Sequence, residues 1–564
     1  MYQPDPTIKS LGQAGSGTRS LVETITAGTP RVVLIDTYHA PGSQEFLSRV
    51  RQEWPGEVSW FDTRQALKDP DTLAGDLAEY LTDDPVFGRV CDRELDLFFD
   101  PTRWLGLCRA VRSSQGCVVV VGPGAMSPPL RNYADYAVIA QVPREIVFTS
   151  TLANLGDDQE RGNWPRYKRS FYVDWPVQNR HQFRALPACD LLVDISAPEQ
   201  PTFVSAADLL EALREAAQRP FRVRSLFMPG IWGGTRLREI VPDLPAEWPN
   251  CAWGFEVVGP ENTVTFEFPQ ARVGTAFDLL MHHQAEAILG RRHYRQFGEF
   301  FPIRFDFLDT IGGGDLSCQV HPDDAYINSH FREPCAQQET YYIMEATPEA
   351  KVYLGLTSET SREKFLHDVE LATTQGKPFD IEQHVNAFPS QAGDLFLIPA
   401  GTVHCSGAGN LVLEISATPY IYTFKIYDYL RPDLDGKPRP ISHQRAFEVI
   451  DFSRTTDWVQ QQLVARPALL AQGDGWTRYL LADHPLLFHV IERIELSGPY
   501  QDSTSADGVH VLCVVEGPGV VVTRIQDGSE LSLEFAETAI LPAACGDYRL
   551  SPRGPSKVMK CFLR

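Results

Sequence analysis

A nine-residue stretch, Leu316-Ser-Cys-Gln-Val-His-Pro-Asp-Asp324, most constrains how this chain can fold. In an extended strand successive side chains alternate between faces, so Ser317, Gln319 and His321 share one face. Pro322 lacks the N–H that a sheet ladder requires, which predicts that the strand stops just past the histidine. The stretch therefore sets an amide oxygen and an imidazole, two potential metal ligands, side by side at a strand end.

Two later segments offer partners for such a site. Glu339 opens an apolar run. His404 closes the segment 393–404, which is a predicted strand followed by a Pro-Ala-Gly turn at 399–401. With Gln319 and His321 they form a mixed nitrogen and oxygen donor set, which suits Zn²⁺ and leaves Fe²⁺ or Mn²⁺ open. The sequence thus predicts one divalent metal, with Gln319, His321, Glu339 and His404 as its ligands.

The composition limits the classes of protein to which the chain can belong. Its 564 residues are 43% hydrophobic, which is ample for two to four domains with their own cores. The formal net charge of -22 argues against non-specific binding to nucleic acid or to an anionic membrane. No apolar run approaches the roughly 20 residues that span a bilayer, and no signal peptide is evident. Eleven scattered cysteines without CxxC pairs fit reduced thiols, so we expect a cytoplasmic protein of unknown oligomeric state.

The first part of the chain, residues 1–215, alternates between strand and helix patterns. Residues 31–36 and 117–122 are β-branched runs typical of strands buried in a parallel sheet. Residues 206–218 have the apolar spacing of a helix, and Ser205 is a suitable cap for it. This alternation predicts a layered α/β domain.

The rest of the chain has a composition and pattern typical of β-structure. Short strands, Gly/Pro turns and aromatic residues predict an all-β barrel or sandwich at 220–460, with a helical insertion at 361–374. Residues 465–564 are again β-rich, and residues 538–546 echo the Pro-Ala-Gly turn that precedes His404. Because no histidine follows at the matching place, we predict that this last domain is a barrel without metal.

Several segments of the first domain together carry a resemblance to a known protein family. They are Val118–Gly124, Asp135 before a strand, 142–145, and 167–169 with 174–175. In these segments the domain resembles the P-loop nucleoside-kinase-like family. A working P-loop needs a lysine for the β/γ-phosphates and a hydroxyl for Mg²⁺. The glycine-rich stretch 12–19 has Thr18 where that lysine belongs, and the turn 37–43 has no lysine. We therefore predict a degenerate kinase-like domain that no longer transfers phosphate.

The central motifs carry a second resemblance, which covers about residues 225–460. They are Ile231-Trp-Gly-Gly234, Phe301-Pro302, the stretch 316–324, Glu339-Thr-Tyr-Tyr342, Ile398-Pro-Ala-Gly-Thr-Val-His404 and Thr423-Phe-Lys-Ile-Tyr-Asp-Tyr429. In these motifs the chain resembles class I mannose-6-phosphate isomerase. The resemblance implies a cupin fold and a single divalent metal, usually zinc. It also implies the ligands Gln319, His321, Glu339 and His404, the same four that the strand pattern predicts.

The chain departs from that family at its cationic positions. The family's Gly-Lys-x-Glu motif reads Ala336-Gln-Gln-Glu339 here, a second lysine is replaced by Asp306, and an arginine by Lys425. Phosphate recognition relies on charged, often bidentate donors, and lysine does not reproduce the fork of arginine. We therefore expect the metal and the isomerase framework to be kept and the phosphate pocket to be altered. Arg304 and Lys437 are the cations that would compensate.

The implied chemistry is the interconversion of an aldose and a ketose, which moves a proton between C1 and C2 through an enediol. A bound metal polarises the substrate oxygens, and a nearby base carries the proton. Glu414 is the leading candidate for this base, and Lys425 is a candidate partner for the enediolate. Ser317, Gln337 and Asp306 are expected to contact the substrate.

Three functions remain open from the sequence. The first is a metal-dependent aldose–ketose isomerase acting on a small sugar or sugar phosphate, including an altered or non-phosphorylated sugar. The second is a bifunctional kinase–isomerase, against which the missing lysine of the phosphate loop counts. The third is a catalytically inactive protein that binds or senses a sugar, which the lost cations favour.

Overall fold

The computed structural model describes residues 1–37, 42–147, 164–417, 419, 421–432, 441–506 and 508–564, with the backbone alone for 164–166. These residues form two compact units, called here the α/β unit and the β unit. The α/β unit comprises Thr7–Ala216 and Thr263–Gln284. The β unit comprises Met1–Pro6, Ala217–Asn262 and Ala285–Arg564.

The prediction of a multidomain chain, mostly β-sheet with helices, is confirmed at that level. The boundaries 1–215, 220–460 and 465–564 remain predictions, as does the kinase-like character of the first domain. All eleven cysteines have free thiols. Within the described ranges, no helix is both long enough and apolar enough to cross a membrane.

The α/β unit is built on a seven-stranded sheet, whose last five strands in spatial order are parallel. The strands, in spatial order, are Ala14–Ser16, Thr202–Ser205, Leu191–Asp194, Tyr136–Gln141, Val32–Thr37, Cys117–Gly122 and Val58–Asp62. Every residue of Val32–Thr37, the middle one of the five parallel strands, is buried, which explains its almost continuous apolar sequence. A second, three-stranded sheet contains Thr7–Lys9, Thr263–Glu267 and Arg272–Ala276.

Helices connect the strands of this unit. The α-helices are Thr18–Thr26, Ser43–Glu53, Pro70–Leu81, Pro101–Ser113, Trp164–Arg169, Trp175–Ala185, Ala206–Ala216 and Phe277–Leu289, the last of which runs on into the β unit. Shorter turns of helix are Thr63–Ala66, Leu95–Phe98, Leu130–Tyr133, Ser170–Asp174 and Leu186–Ala188. The hydroxyl of Ser205 accepts a hydrogen bond from the Asp208 N–H at 3.0 Å, so Ser205 caps its helix as predicted.

The glycine-rich stretch 12–19 has a structural role in this sheet. Residues 14–16 form an edge strand paired antiparallel with 202–205. A Cβ at Gly15 would collide with the ring of Phe203, so this glycine allows the backbone to approach an aromatic side chain. The other candidate phosphate loop, 37–43, lies partly outside the described residues.

The β unit contains two sandwiches. The first, called here the metal sandwich, has a six-stranded sheet of Leu395–Ile398, Glu339–Ala346, Asn410–Ala417, Ile303–Asp309, Trp253–Val257 and Leu226–Met228. Its second sheet has five strands, Val385–Pro389, Lys351–Leu356, His404–Ser406, Cys318–Val320 and Phe424–Tyr427. All residues of 303–309 and 410–417 are buried, so these strands form the centre of the first sheet.

The second sandwich, called here the C-terminal sandwich, follows from residue 468. Its sheets consist of Ala468–Gly473, Trp476–Ala482, His489–Leu496, Ser556–Leu563, His510–Glu516 and Thr538–Leu541, and of Tyr500–Ser503, Asp547–Pro552, Val520–Arg524 and Glu530–Leu533. The helices of the β unit are Arg236–Ile240, Arg291–Phe297, Asp324–Phe331, Arg362–Gln375, His443–Val449 and Thr456–Gln462, with short turns Ile381–Gln383 and Ala543–Cys545. The predicted insertion at 361–374 is the helix Arg362–Gln375, capped by Ser361.

Candidate metal centre

Three strands from two sheets bring the predicted ligands together. The strand Cys318–Val320 ends just before His321 and pairs through Gln319 with His404 on the neighbouring strand. Glu339 begins a strand of the opposite sheet. The alternation of side chains turns these residues into the space between the sheets, where they are shielded from solvent.

The side chains of His321, Glu339 and His404 form a tight cluster. His321 Nε2 lies 2.9 Å from Glu339 Oε1, and His404 Nε2 lies 3.0 Å from Glu339 Oε2. The three ligand atoms all lie within 4.8 Å of one another, and no residue of the three is more than 1% exposed. The arrangement is that of one carboxylate between two imidazoles, a common donor set for divalent metals.

Backbone carbonyls hold both imidazole rings in place. The Nδ1 of His404 is 2.9 Å from the carbonyl of Thr402, and the Nδ1 of His321 is 3.3 Å from the carbonyl of Tyr422. A histidine that donates from Nδ1 to a carbonyl presents an unprotonated Nε2, the form that binds a metal. Both Nε2 atoms therefore point into the cluster as acceptors.

Two buried atoms of the cluster lack hydrogen-bond partners, and a bound cation would satisfy both. His321 Nε2 and Glu339 Oε2 make no hydrogen bond of acceptable geometry to any described residue. Burial lowers the pKa of His321. A neutral imidazole and an ionised carboxylate with orphaned lone pairs fit a divalent cation.

Gln319, the fourth predicted ligand, lies beside this trio. Its amide nitrogen is 3.3 Å from His404 Nε2, and its oxygen accepts a 3.5 Å contact from the hydroxyl of Ser317. A half-turn of the amide exchanges its oxygen and nitrogen, so its oxygen reaches the cluster equally well. Gln319 is thus within reach as a ligand, and its coordination remains a prediction.

Two of the predicted substrate contacts touch the ligands. Gln337 donates a hydrogen bond from its amide nitrogen to Glu339 Oε1, and its own amide oxygen has no partner among the described residues. Ser317 contacts Gln319, as noted above. These positions can therefore orient the ligands as well as a substrate.

A second buried cluster lies in the same sheet as Glu339. Arg304 Nε is 3.0 Å from Asp306 Oδ1, and another guanidinium nitrogen contacts Glu414 Oε1. The hydroxyl of Ser416 donates to the same Glu414 oxygen at 2.8 Å. In the strand register Asp306 and Tyr341 lie on either side of Glu414, so the cluster crosses three neighbouring strands. Burial raises the pKa of both Asp306 and Glu414, and Arg304 offsets only part of that rise.

This cluster changes the roles that the sequence proposed. Glu414, the candidate base, is buried and ion-paired with Arg304. Arg304, a candidate replacement for a lost phosphate-binding cation, is engaged by two carboxylates. Lys437, the other candidate replacement, lies outside the described residues. Lys425 is half-buried and pairs in the strand register with Gln319.

Sequence reasoning missed Tyr341 and Ser416 and did not foresee the partners of Arg304. The hydroxyl of Tyr341 is buried without a hydrogen-bond partner among the described residues, and its ring centre lies 5.8 Å from that of His404. Each of the two missed residues stands two positions from a predicted one on the same strand, 341 from 339 and 416 from 414, just as Arg304 stands two positions from Asp306. Strand alternation was therefore the signal that could have found them.

Comparison with known proteins identifies the family of this chain. The probable mannose-6-phosphate isomerase GmuF of Bacillus subtilis is 30% identical over 232 residues, which are 41% of this chain and 68% of that protein. The chain belongs to the mannose-6-phosphate isomerase family. Another member, ManA of the same organism, is 29% identical over the same shares of the two chains. The mannose-6-phosphate isomerase of Streptococcus mutans is 26% identical over 57% of this chain and 92% of its own.

Two further comparisons extend the description. The crystal structure of the mannose 6-phosphate isomerase from Bacillus subtilis covers 61% of this chain and 99% of its own, with 21% identity and a TM-score of 0.49. A family model described as a domain of unknown function (DUF8485) matches residues 17–218. Family membership supports a sugar isomerase, and residues 17–218 carry no assigned activity.

Proposed function

We propose that this protein is a metal-dependent aldose–ketose isomerase that acts on a free sugar or on a sugar with an altered anionic group. The observation that carries the proposal is the buried trio of His321, Glu339 and His404. Its ligand atoms lie within 4.8 Å of one another and two of its buried polar atoms lack partners. Membership in a family of sugar isomerases supports the reaction class.

The metal would be held by the trio, with Gln319 as the fourth ligand, and zinc suits this donor set best. A bound divalent cation supplies Lewis-acid polarisation of the substrate's carbonyl and hydroxyl oxygens. The carbonyl groups of Thr402 and Tyr422 orient the two imidazoles for that task. Gln337 holds the Glu339 carboxylate in place through its amide N–H.

Glu414 carries the proton in this proposal. Its carboxylate takes a proton from one of the two reacting carbons and returns it to the other, while the hydroxyl proton passes between the two substrate oxygens, so no net proton is gained or lost. Arg304 and Ser416 fix the carboxylate, and burial raises its pKa, which makes it a stronger base than an exposed glutamate. Lys425 is the proposed partner of the negative charge that develops on the substrate oxygen.

The charge around the site supports a substrate without a phosphate at the family's usual place. Asp306, Glu339 and Glu414 are buried carboxylates, and Arg304 is already ion-paired with two of them. A dianionic phosphate would be repelled there, and Gln337 offers it only neutral hydrogen bonds. Charge-assisted bonds are roughly twice as strong as neutral ones, so losing two of them costs several kcal/mol of affinity for phosphate.

The test is a comparison of kcat/KM for mannose 6-phosphate with that for mannose and related free aldoses, with and without a chelator. We expect a chelator-sensitive activity that is higher on the free sugars. A strong preference for mannose 6-phosphate would contradict the substrate proposal and leave the metal proposal intact. Metal binding without turnover of any aldose would contradict the isomerase proposal and favour the second candidate function, described next.

That second candidate is a catalytically inactive sugar-binding protein. The ion pair between Arg304 and Glu414 favours it, because the pairing makes the carboxylate a weaker base than burial alone would make it. Sugar binding with an unchanged sugar after long incubation would establish it over the isomerase.

We also infer that residues 1–215, a degenerate kinase-like domain in this proposal, transfer no phosphate from ATP. Thr18 stands in place of the lysine, and residues 14–16 are an edge strand instead of a phosphate loop. Measurable ATP consumption at rates typical of kinases, roughly 1–100 per second, would overturn this inference and restore the bifunctional kinase–isomerase.

A further inference from the structure

A short basic segment stands out in this acidic chain. In Arg291-Arg-His-Tyr-Arg295, four of five residues are arginine or histidine, whereas the whole chain carries a net charge of -22. The segment opens the helix Arg291–Phe297 of the β unit. Its three arginines are exposed, so the positive charge is presented to solvent.

The segment borders a cavity of about 360 Å³. One wall is the chain from Glu286 to His293, and the other consists of 504–506 with Gly508 and of Ala543 and Ala544. Arg291 and Arg292 line the cavity, whereas Arg295, on the same helix, does not. A volume above roughly 300 Å³ is typical of pockets that hold small molecules.

Hydrogen bonds fix the walls of this cavity. The Thr504 hydroxyl donates to the carbonyl of Ala543 at 3.0 Å and accepts from the N–H of Gly546 at 2.9 Å. The Gly508 N–H donates to the carbonyl of Thr504 at 3.0 Å. A Cβ at Gly508 would lie 2.7 Å from His293 Nδ1, so the turn packs directly on the basic segment. The cavity is therefore preformed.

The polar groups of the cavity are available to an anion. Arg292 forms no ion pair with any described residue. Arg291 meets Glu286 at 3.3 Å, but both side chains are more than half exposed, and such surface pairs are worth little. The Ser505 hydroxyl accepts a 3.1 Å hydrogen bond from Ser503, which leaves its own proton free to donate. Arg291, Arg292 and Ser505 thus line one space, which the Glu286 carboxylate also borders.

We propose that this cavity binds a small phosphorylated compound of about the size of a sugar phosphate. Guanidinium groups match the geometry of phosphate oxygens and bind them in bidentate fashion. The apolar surface of Ala506, Ala543 and Ala544 accommodates the carbon skeleton beyond the phosphate. The site is separate from the trio of His321, Glu339 and His404 and shares no residue with it, so it does not depend on the proposed isomerase activity.

The test is calorimetric titration of the full chain with inorganic phosphate, with sorbitol 6-phosphate and with sorbitol. We expect both phosphorylated compounds to bind, sorbitol 6-phosphate more tightly, and sorbitol not to bind. The variant Arg292→Glu should weaken both by at least tenfold. The matched control Arg295→Glu makes the same charge change on the same helix outside the cavity, and it should change the affinity by less than threefold.

A third variant, Ala506→Trp, fills the cavity without changing its charge. It should abolish the advantage of sorbitol 6-phosphate over inorganic phosphate. Equal losses in Arg292→Glu and Arg295→Glu would mean that only the general charge of the helix attracts phosphate, and the site would be rejected. Absence of phosphate binding to the wild-type chain, or an unchanged advantage in Ala506→Trp, would also overturn the proposal.

Discussion

The two sandwiches of the β unit both bury carboxylates between their sheets, and they neutralise them in different ways. In the C-terminal sandwich Lys560 is 1% exposed, and its ammonium lies 2.8 Å from Glu492 Oε2 and 2.8 Å from Asp502 Oδ2. In the metal sandwich, the immediate partners of Glu339 are two imidazoles and the amide of Gln337. The cluster around Lys560 carries its cation covalently, and the cluster around Glu339 has donors suited to a cation taken from solution.

This difference teaches how to distinguish a structural cluster from a metal site. A buried charge is costly unless it is paired. Lysine and arginine complete the pairing from within the chain, as Lys560 does for two carboxylates and Arg304 for Asp306 and Glu414. Histidines that are held neutral leave lone pairs to be satisfied from outside. Within the described parts of the chain, only the trio of the metal sandwich brings three metal-ligating side chains within reach of one ion.

The largest effect is expected from removing a ligand of the trio. In His404→Ala and in His321→Ala we expect metal content to fall from about one equivalent per chain to near zero, measured by elemental analysis. Isomerase activity should fall by roughly a thousandfold, because Lewis-acid polarisation is worth several kcal/mol. His384→Ala is the control, since His384 is equally buried but bonds to Asp368 and Thr360. Unchanged metal content in both ligand variants would contradict the assignment of the trio as the metal ligands.

The next effect concerns the internal cation of the C-terminal sandwich. Lys560→Met leaves Glu492 and Asp502 buried without their partner and should cost about 3–5 kcal/mol of unfolding free energy, measured by denaturant titration. Lys557→Met is the matched control on the same strand, because Lys557 is partly exposed and pairs with exposed Glu516. The control should lose about 1 kcal/mol or less. Equal losses in both variants would show that Lys560 does not neutralise a buried charge.

A smaller effect is expected from adding a covalent cation to the metal sandwich. Gln337→Lys introduces a positive charge beside Glu339 and should raise kcat/KM for mannose 6-phosphate relative to mannose by about tenfold, since one charge-assisted bond is worth roughly 1.4 kcal/mol more. Gln338→Lys, one position away at a less buried residue, is the control. An equal change in both variants would mean that the substrate phosphate responds to the added charge in general and not to a bond from residue 337.

The smallest effect comes from a third way of neutralising a buried carboxylate, found in the α/β unit. His181 Nε2 lies 2.7 Å from Asp36 Oδ2, and Asp36 is only 1% exposed. Burial lowers the pKa of His181, but the charge and hydrogen bond of Asp36 outweigh it and raise that pKa above its usual value. The folded state then binds the proton more tightly than the unfolded state, so this contribution to stability is complete below the unfolded pKa. It is lost as pH rises through the folded pKa.

We therefore expect the free energy of unfolding of the wild-type chain to decline as pH is raised from about 6.5. His181→Phe should remove that part of the pH dependence, as measured by denaturant titration at a series of pH values. Lys560 keeps its charge over this range, so the contrast distinguishes a titratable partner from a permanent one. An identical pH dependence in wild type and His181→Phe would contradict the assignment.

The sequence alone predicted the donor set and its chemistry because those depend on local pattern. The alternation of side chains along 317–321 places Gln319 and His321 on one face, and the turn at 399–401 marks the segment that His404 closes. The strand 318–320 ends before His321, within one residue of the expected end. The same kind of local evidence predicted a helix at 361–374, which is found at 362–375, and a strand at 31–36, which is found at 32–37. In each case a few neighbouring residues were enough.

What the tertiary structure decided is which charges meet. Asp306 lies opposite Glu414 because two strands about a hundred residues apart are neighbours in one sheet with that register. That pairing commits Arg304 to two carboxylates and away from a substrate phosphate. Lys560 likewise meets Asp502 across 58 residues of chain. Strand order and register are set by the packing of whole sheets, and a shift of one residue would turn these side chains to the opposite face. The sequence by itself therefore determined which candidate ligands the chain carries, and only the fold determined which of its cations were already in use.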